Sequence, residues 1–435
     1  MKVYNHKAVK SLTLFSIPII LGQIGVMLIS AGDMYVAAAH STLSVGAIGV
    51  ATGVFNPVFL FGIGLMMGLS PALAIERGTG KNIEQHFLSS IVFAILAGIF
   101  LCGVMLVVNE FVPMMGIESE MVPFIQRYNK IIAWSFPLAF VFQAVKEFLQ
   151  SFEDVFFANL ISIVAVFVNL GLNYFFVFGV ENISGMGFDG LAYASFSIRV
   201  FLMLTILIYA RKYFKNSKVD FEFIKRTFKF SLPIASMFFI EVLAFCVVAI
   251  LAGGMGVGVS AANSIITNIA SITFMVPLSI SSAVSVKVGA KFGEGNNQGV
   301  KDYAFSSLFM SSAFMVFSAL IYIFFPEFLM RLVTSDPYVV EIGVGLLFIV
   351  AIFQIVDGLQ ITLGGILRGL AMTKEPFISI LVGYWALGIP FGVYLAFNRS
   401  MNAQGLWIGL AVSLTIVALF LGLIFRKRLV SLQSQ

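Results

Sequence analysis

The chain is 435 residues long, 60% hydrophobic and only 11% charged, with a formal net charge of +5 at pH 7; its mean hydropathy is +1.01. Soluble domains run roughly 45–50% apolar and about 25% charged. Too little polar surface exists here to face water around one large core, so a soluble enzyme is excluded.

The apolar residues fall into blocks of about 20, the length that crosses a ~30 Å hydrocarbon core at 1.5 Å per residue. Inside a bilayer every backbone group needs an internal partner, which leaves helices or a closed barrel. Alternating strands are absent, and the runs at 87–108 and 304–325 are apolar on every face, so helices are predicted. Charges and Gly/Pro/Asn clusters delimit a first six near 11–38, 45–75, 85–109, 124–150, 155–180 and 187–211. A second six follow near 229–253, 259–288, 303–326, 338–368, 376–398 and 404–425. The first resembles a signal peptide in having basic residues ahead of an apolar core. Its apolar stretch is too long and no small-residue cleavage site closes it, so it is expected to be an uncleaved membrane helix. The expected fold is all-α integral membrane with twelve transmembrane helices.

An even number of spans puts both termini on one side. The terminus and loops assigned to that side carry Lys2, Lys7 and Lys10; Arg77 and Lys81; Lys146; seven residues between Arg211 and Lys229; Lys287, Lys291 and Lys301; Arg368 and Lys374; and Arg426, Lys427 and Arg428. These are 21 of the 26 Lys plus Arg, a bias that makes the side cytoplasmic and gives a multi-pass protein of the cell (inner) membrane. Net positive charge therefore reflects topology and supports no nucleic-acid partner. Cys102 and Cys246 lie in apolar runs, and His6, His40 and His86 stand far apart at predicted helix ends. Neither a disulfide framework nor a metal cluster is expected.

The chain repeats itself. FSIPI at 15–19 returns as FSLPI at 230–234, and Gly190-Leu191 returns as Gly405-Leu406, both 215 residues later. Phe142-Gln143 returns as Phe353-Gln354 at the nearby offset of 211. Two halves of six helices are expected, an N-lobe over 1–215 and a C-lobe over 216–435, entering the bilayer in the same direction with a substrate cavity between them.

Three carboxylates stand where oil is expected: Asp33 in predicted helix 1, Glu241 in helix 7 and Asp357 in helix 10. Each costs about 2.5–3.5 kcal/mol on insertion scales, which is tolerated when the acid is protonated, faces a wet cavity or holds a cation. They do not map onto one another across the repeat: the counterpart of Asp33 is Val248 and that of Glu241 is Val26. The two halves thus carry different chemistry. Asn169 and Asn173, four apart, share one face of helix 5, and Gln354, Asp357 and Gln360 form a stripe on helix 10. Carboxylates beside amide carbonyls suit a hard cation such as sodium, or a proton relay. Such amides also join membrane helices together. Arg199 is read as the one guanidinium deep in the membrane.

Apparent enzyme motifs fail. GTGKN at 78–82 lacks the Ser or Thr and the first Gly of a phosphate loop, and GGMGVGV at 253–259 has the wrong spacing for a dinucleotide fingerprint. With no nucleotide-binding domain and no cofactor expected, energy would come from an ion gradient. Two rival classes are a lipid or glycan flippase, which would want many cavity cations, and a channel, which would want symmetric polar rings.

FQIVDGLQITLGGILRGL at 353–370 and the segment at 263–295 resemble the multidrug and toxic compound extrusion (MATE) family, particularly its NorM-like branch. The likeness continues in LFGIGLMMGLSPALAIERGTGK at 60–81 and FVNLGLNYFFVFG at 167–179 and spans the whole chain. It implies two pseudo-symmetric six-helix bundles that export cationic, amphiphilic compounds in exchange for inward sodium or protons, with sodium favoured. It also implies an N-lobe cation or proton site at Asp33, Asn169 and Asn173, and C-lobe acids Glu241 and Asp357 that bind the cation or the drug. Phe353, Phe274 and Asn263-Ser264 depart from residues common in that family; together with Gln354 and Gln360, Phe353, Phe274 and Asn263 are the candidate cavity lining. A monomer is expected.

Overall fold

In the computed structural model, residues 5–181 and 183–433 are described; Lys2 of the expected cytoplasmic charges lies outside them. The chain is helical almost throughout. In order it forms α1 (His6–His40), α2 (Thr42–Met67), α3 (Leu69–Gly78), α4 (Phe87–Glu110), α5 (Val122–Trp134), α6 (Phe136–Ser151), α7 (Phe156–Phe178) and α8 (Phe188–Tyr209). There follow α9 (Phe221–Gly253), α10 (Val257–Gly293), α11 (Asn297–Phe324), α12 (Pro326–Arg331), α13 (Pro337–Gly369), α14 (Lys374–Ile380), α15 (Ile389–Val393) and α16 (Asn402–Gln433). A hairpin of β1 (Gly179–Val180) and β2 (Ile183–Ser184) pairs Gly179 with Ser184 and Val180 with Ile183. Among the described residues, eleven helical segments are long and apolar enough to cross a membrane. The bent pair α5–α6 makes a twelfth when it is taken as one span.

These helices form because nearly every position is apolar, and they differ from water-soluble helices in what both faces touch. On α1, Leu14, Leu21, Leu28 and Tyr35 recur every seven residues and are all exposed, a stripe suited to lipid. Leu12, Phe15, Ile19, Val36 and Ala37 of the same helix are buried in protein. Local signals set the ends. Ser41 Oγ accepts from the Ser44 N–H to start α2, and Asp336 caps α13 by accepting from Tyr338 and Val339.

Two predicted helices are interrupted. The span expected at 124–150 bends by 44° where Ser135 separates α5 from α6. Pro137 lies in the first turn of α6; it has no N–H, and its ring crowds the preceding turn. The span expected at 376–398 contains wide π-helical turns at Leu381–Gly388 and Tyr394–Asn398, around α15 with its Pro390. Such turns absorb a missing donor without ending the helix and often mark functional positions.

By contact density the chain divides into two compact units. One comprises 17–73 and 81–235, the other 1–16, 74–80 and 236–435. The division expected at residue 215 therefore falls inside α9, after Ala235, and two short segments from the first half group with the second unit. Helices are longer than the sequence repeat, so a border drawn at a loop differs from one drawn by packing. The repeat nonetheless sets local shape: Pro18 and Pro233 each stand inside a helix, twelve residues past the start of α1 and α9.

In the second unit, α13 packs on α10 and α11 through small residues. Ser281 donates to the Ile361 carbonyl at 2.6 Å and Ser311 to the Gly358 carbonyl at 3.0 Å. A Cβ on Gly365 would lie 2.4 Å from the Ser281 carbonyl oxygen, so only glycine permits that approach. Close backbones joined by serine hydroxyls are how helices associate where the hydrophobic effect offers nothing. They hold the turn that carries Asp357.

Candidate functional site

In the unit containing 17–73 and 81–235, Asp33 of α1 meets α7 and α8. Its Oδ1 accepts a 2.6 Å hydrogen bond from Asn173 Nδ2, and its Oδ2 accepts one of 2.9 Å from Ser195 Oγ. Asn173 Nδ2 also donates to Asn169 Oδ1 at 3.1 Å. Both asparagines are fully buried. Asn173 Oδ1 has no hydrogen-bond partner, nor does Asn169 Nδ2. A buried amide oxygen left free beside a carboxylate is an unusual expense, and a cation ligand is one way to satisfy it. Asp33, Asn169 and Asn173 are brought together, and Ser195 joins them. Its sequence signal is slight: it is one serine in an apolar stretch, one turn before Arg199.

Arg199 itself donates to Ser135 Oγ at 2.5 Å and lies over the Phe59 ring at 4.6 Å and the Phe55 ring at 5.9 Å. Arg368 and Lys146, assigned by sequence to the cytoplasmic side, are buried in protein, Arg368 donating to Ser281 at 2.8 Å from the last turn of α13. Both stand near the ends of predicted spans, at 124–150 and 338–368, where neighbouring helices cover them. A buried carboxylate escaped the sequence reading: Glu147 of α6 accepts from Ser70 at 2.5 Å and from Gln143 at 2.8 Å.

The other unit holds Glu241 on α9 and Asp357 on α13, which interact electrostatically. Tyr384, on the π-helical segment, donates to Glu241 Oε1 at 3.3 Å, and its neighbour Trp385 donates to the Ile240 carbonyl at 3.3 Å. Tyr384 was not singled out by sequence, because an apolar run with two tyrosines, Tyr384 and Tyr394, gives no sign of which residue the wider turn aims inward.

Gln354, Gln360 and Asn263 are buried as well. Gln354 donates to the Ala270 carbonyl at 3.1 Å, while its Oε1 and that of Gln360 are unpartnered. Asn263 accepts from Trp407 Nε1 at 3.0 Å, and Phe353 meets the Trp407 ring edge-on at 5.3 Å. Phe353 and Trp407 are thus packed in the interior, and Phe274 is half-buried on α10. Asp33, Glu241 and Asp357 are all buried among helices, with 8%, 7% and 5% of their surface accessible.

A multi-pass helical protein with carboxylates set inside its spans has the architecture of a secondary transporter. The MatE family model matches the chain twice, over residues 18–175 and 233–394, the second match starting 215 residues after the first, and the chain belongs to this family. It is 29% identical to the multidrug resistance protein NorM of Vibrio cholerae, over 99% of this chain and 96% of that one. It is 30% identical to the probable multidrug resistance protein NorM of Mesorhizobium japonicum, over 93% of this chain and 90% of that one. Among solved structures, the eukaryotic MATE transporter AtDTX14 superposes with a TM-score of 0.88 at 20% identity, covering 98% of both chains. A MOP superfamily transporter from Pyrococcus furiosus, described as having a binding pocket of reverse polarity that suggests a different function, also gives 0.88, at 18% identity over 98% of this chain and 97% of that one. The fold is shared; the polarity of the pocket is a matter for each chain's own residues.

Proposed function

We propose that this protein exports cationic, amphiphilic compounds across the cytoplasmic membrane in exchange for an inward cation, sodium or a proton. It works as a monomer by alternating access, with both termini cytoplasmic. The reading is carried by one observation: Asp33 is buried under two donors, while the oxygen of its partner Asn173 is left unsatisfied. Asp33, Asn173 and Asn169 offer the hard oxygens a small cation takes. Glu241 and Asp357 supply paired negative charge for the cation or for a positively charged drug. The NorM names of relatives along the full chain support multidrug export; sodium is favoured only by the resemblance of the sequence to the NorM-like branch.

Coupling then follows from charge. A cation entering from outside neutralises the acids, displaces the drug and lowers the cost of closing a dry outer gate. Release to the cytoplasm restores the negative charge that admits the next drug. One elementary charge moving down 100 mV supplies about 2.3 kcal/mol. The flippase alternative asks for free cavity cations, whereas Arg199 is held by Ser135 and Arg368 by Ser281. The chemistry assigned here is transport rather than catalysis.

The test is transport of ethidium or norfloxacin in proteoliposomes with sodium and pH gradients imposed separately. Counter-transport that follows either gradient is expected. Uptake indifferent to both, or single-channel currents, overturns the reading.

A further inference from the structure

Helix α8 carries two polar side chains one turn apart, Ser195 and Arg199, which therefore share a face. Ser195 donates to Asp33, and Arg199 donates to Ser135, the residue at the 44° bend between α5 and α6. The guanidinium keeps its charge whatever enters the site. It is stacked over Phe59 and Phe55, so its surroundings are low in dielectric and its field is weakly screened. The charged and titratable groups that interact across this region are Asp33 on α1, Tyr128 on α5 and Arg199 on α8. Of these, only Arg199 is a fixed cation. Asp33 is not hydrogen-bonded to it: the carboxylate is taken by Asn173 and Ser195, and the guanidinium by the hydroxyl of Ser135.

We infer that Arg199 is an affinity-setting residue, a tethered positive charge that weakens the hold of the Asp33 cluster on its coupling cation so that the ion is released on the cytoplasmic side. This rests on Asp33 being a coupling site. The sign follows from Coulomb's law: a fixed cation near a carboxylate opposes the arrival of a second cation. Ser135 is the tether. Holding the guanidinium at the bend keeps it from pairing directly with Asp33, which would close the site to any ion. The same bond links the electrostatics of the site to the bend.

The experiment uses the full chain in proteoliposomes and reads the half-saturating cation concentration separately from the maximal rate. Sodium is titrated at fixed pH, and protons are titrated without sodium. In the titration of the coupling ion, Arg199→Gln should lower the half-saturating concentration about tenfold, equivalent to ~1.4 kcal/mol. Arg199→Lys, which keeps the charge and loses the fork, should stay within about threefold of the parent. Ser135→Ala should act in the opposite direction, raising the half-saturating concentration as the freed guanidinium turns to Asp33.

A merely structural arginine would give lower maximal rates in both Arg199 variants with no shift in half-saturation. That outcome, or unchanged half-saturation in Arg199→Gln and Ser135→Ala while Asp33→Asn abolishes coupling, overturns the inference and spares the Asp33 site. Intact coupling in Asp33→Asn overturns the site itself. Should Arg199→Gln fail to fold, the upward shift in Ser135→Ala carries the test, and its absence decides against the inference.

Discussion

Asn173 Nδ2 stands 2.6 Å from Asp33 Oδ1, joining α7 to α1 across 140 residues of sequence. The carboxylate is also the acceptor for Ser195, so its removal strands donors as well as charge. Asp33→Asn, which keeps an acceptor, should remain folded and lose at least about tenfold of cation-driven efflux. Asp33→Ala should in addition lower stability by about 1–3 kcal/mol, the cost of buried donors left unpaired. Dye-exclusion rates and thermal unfolding in detergent separate the two effects. Equal efflux from the parent and Asp33→Asn would count against the site.

Asp357 lies beside Gly358, whose carbonyl is held by Ser311. The position is anchored by backbone contacts that do not involve the carboxylate. Asp357→Asn should therefore preserve expression and unfolding temperature while abolishing cation-driven efflux. Normal transport by this variant would remove Asp357 from the mechanism.

Tyr384→Phe deletes the hydrogen bond to Glu241 and little else. A bond of that kind contributes about 0.5–1.5 kcal/mol, so a two- to tenfold change in half-saturation is expected with stability nearly unchanged. Steady-state transport over a range of substrate and cation concentrations would show it. An effect confined to protein yield would mean that the hydroxyl serves packing alone.

Gly409 of α16 faces Gly392 of α15 so closely that a Cβ would stand 2.5 Å from the Gly392 Cα. Gly409→Leu should lower stability by at least about 1–3 kcal/mol, the usual range for overpacking. Gly422, where an added Cβ would meet nothing within 4 Å, is the control: Gly422→Ala should be neutral, or stabilising by up to about 1 kcal/mol. Thermal unfolding of both variants checks the contrast.

Much of the architecture is readable before any coordinates. The blocks of apolar residues have the length of a bilayer, and their number and approximate limits match the helices found. The break at Ser135 was equally available, since Pro137 announces it, but a continuous apolar run conceals a bend unless proline is weighed against hydropathy. The three acids, and the spacing that puts Asn169 and Asn173 on one face, also follow from counting along helices. Ser195, Tyr384 and Glu147 do not. A serine or tyrosine in a membrane helix is common, and nothing local says which one turns toward a carboxylate. Glu147 sits close enough to a predicted helix end to pass for an interfacial charge.

The sequence by itself determined that this is a helical membrane protein built on a repeat and carrying acids in its spans. Hydrophobic length and the expense of burying charge are properties of a segment and need no partner to be evaluated. Only the tertiary structure decided who satisfies those acids and the arginine among them: Asn173 and Ser195 at Asp33, Tyr384 at Glu241, and Ser135 at Arg199. Hydrogen bonds depend on ångström distances between residues tens to more than a hundred positions apart. Helix packing sets those distances, and the order of residues along the chain does not encode them locally.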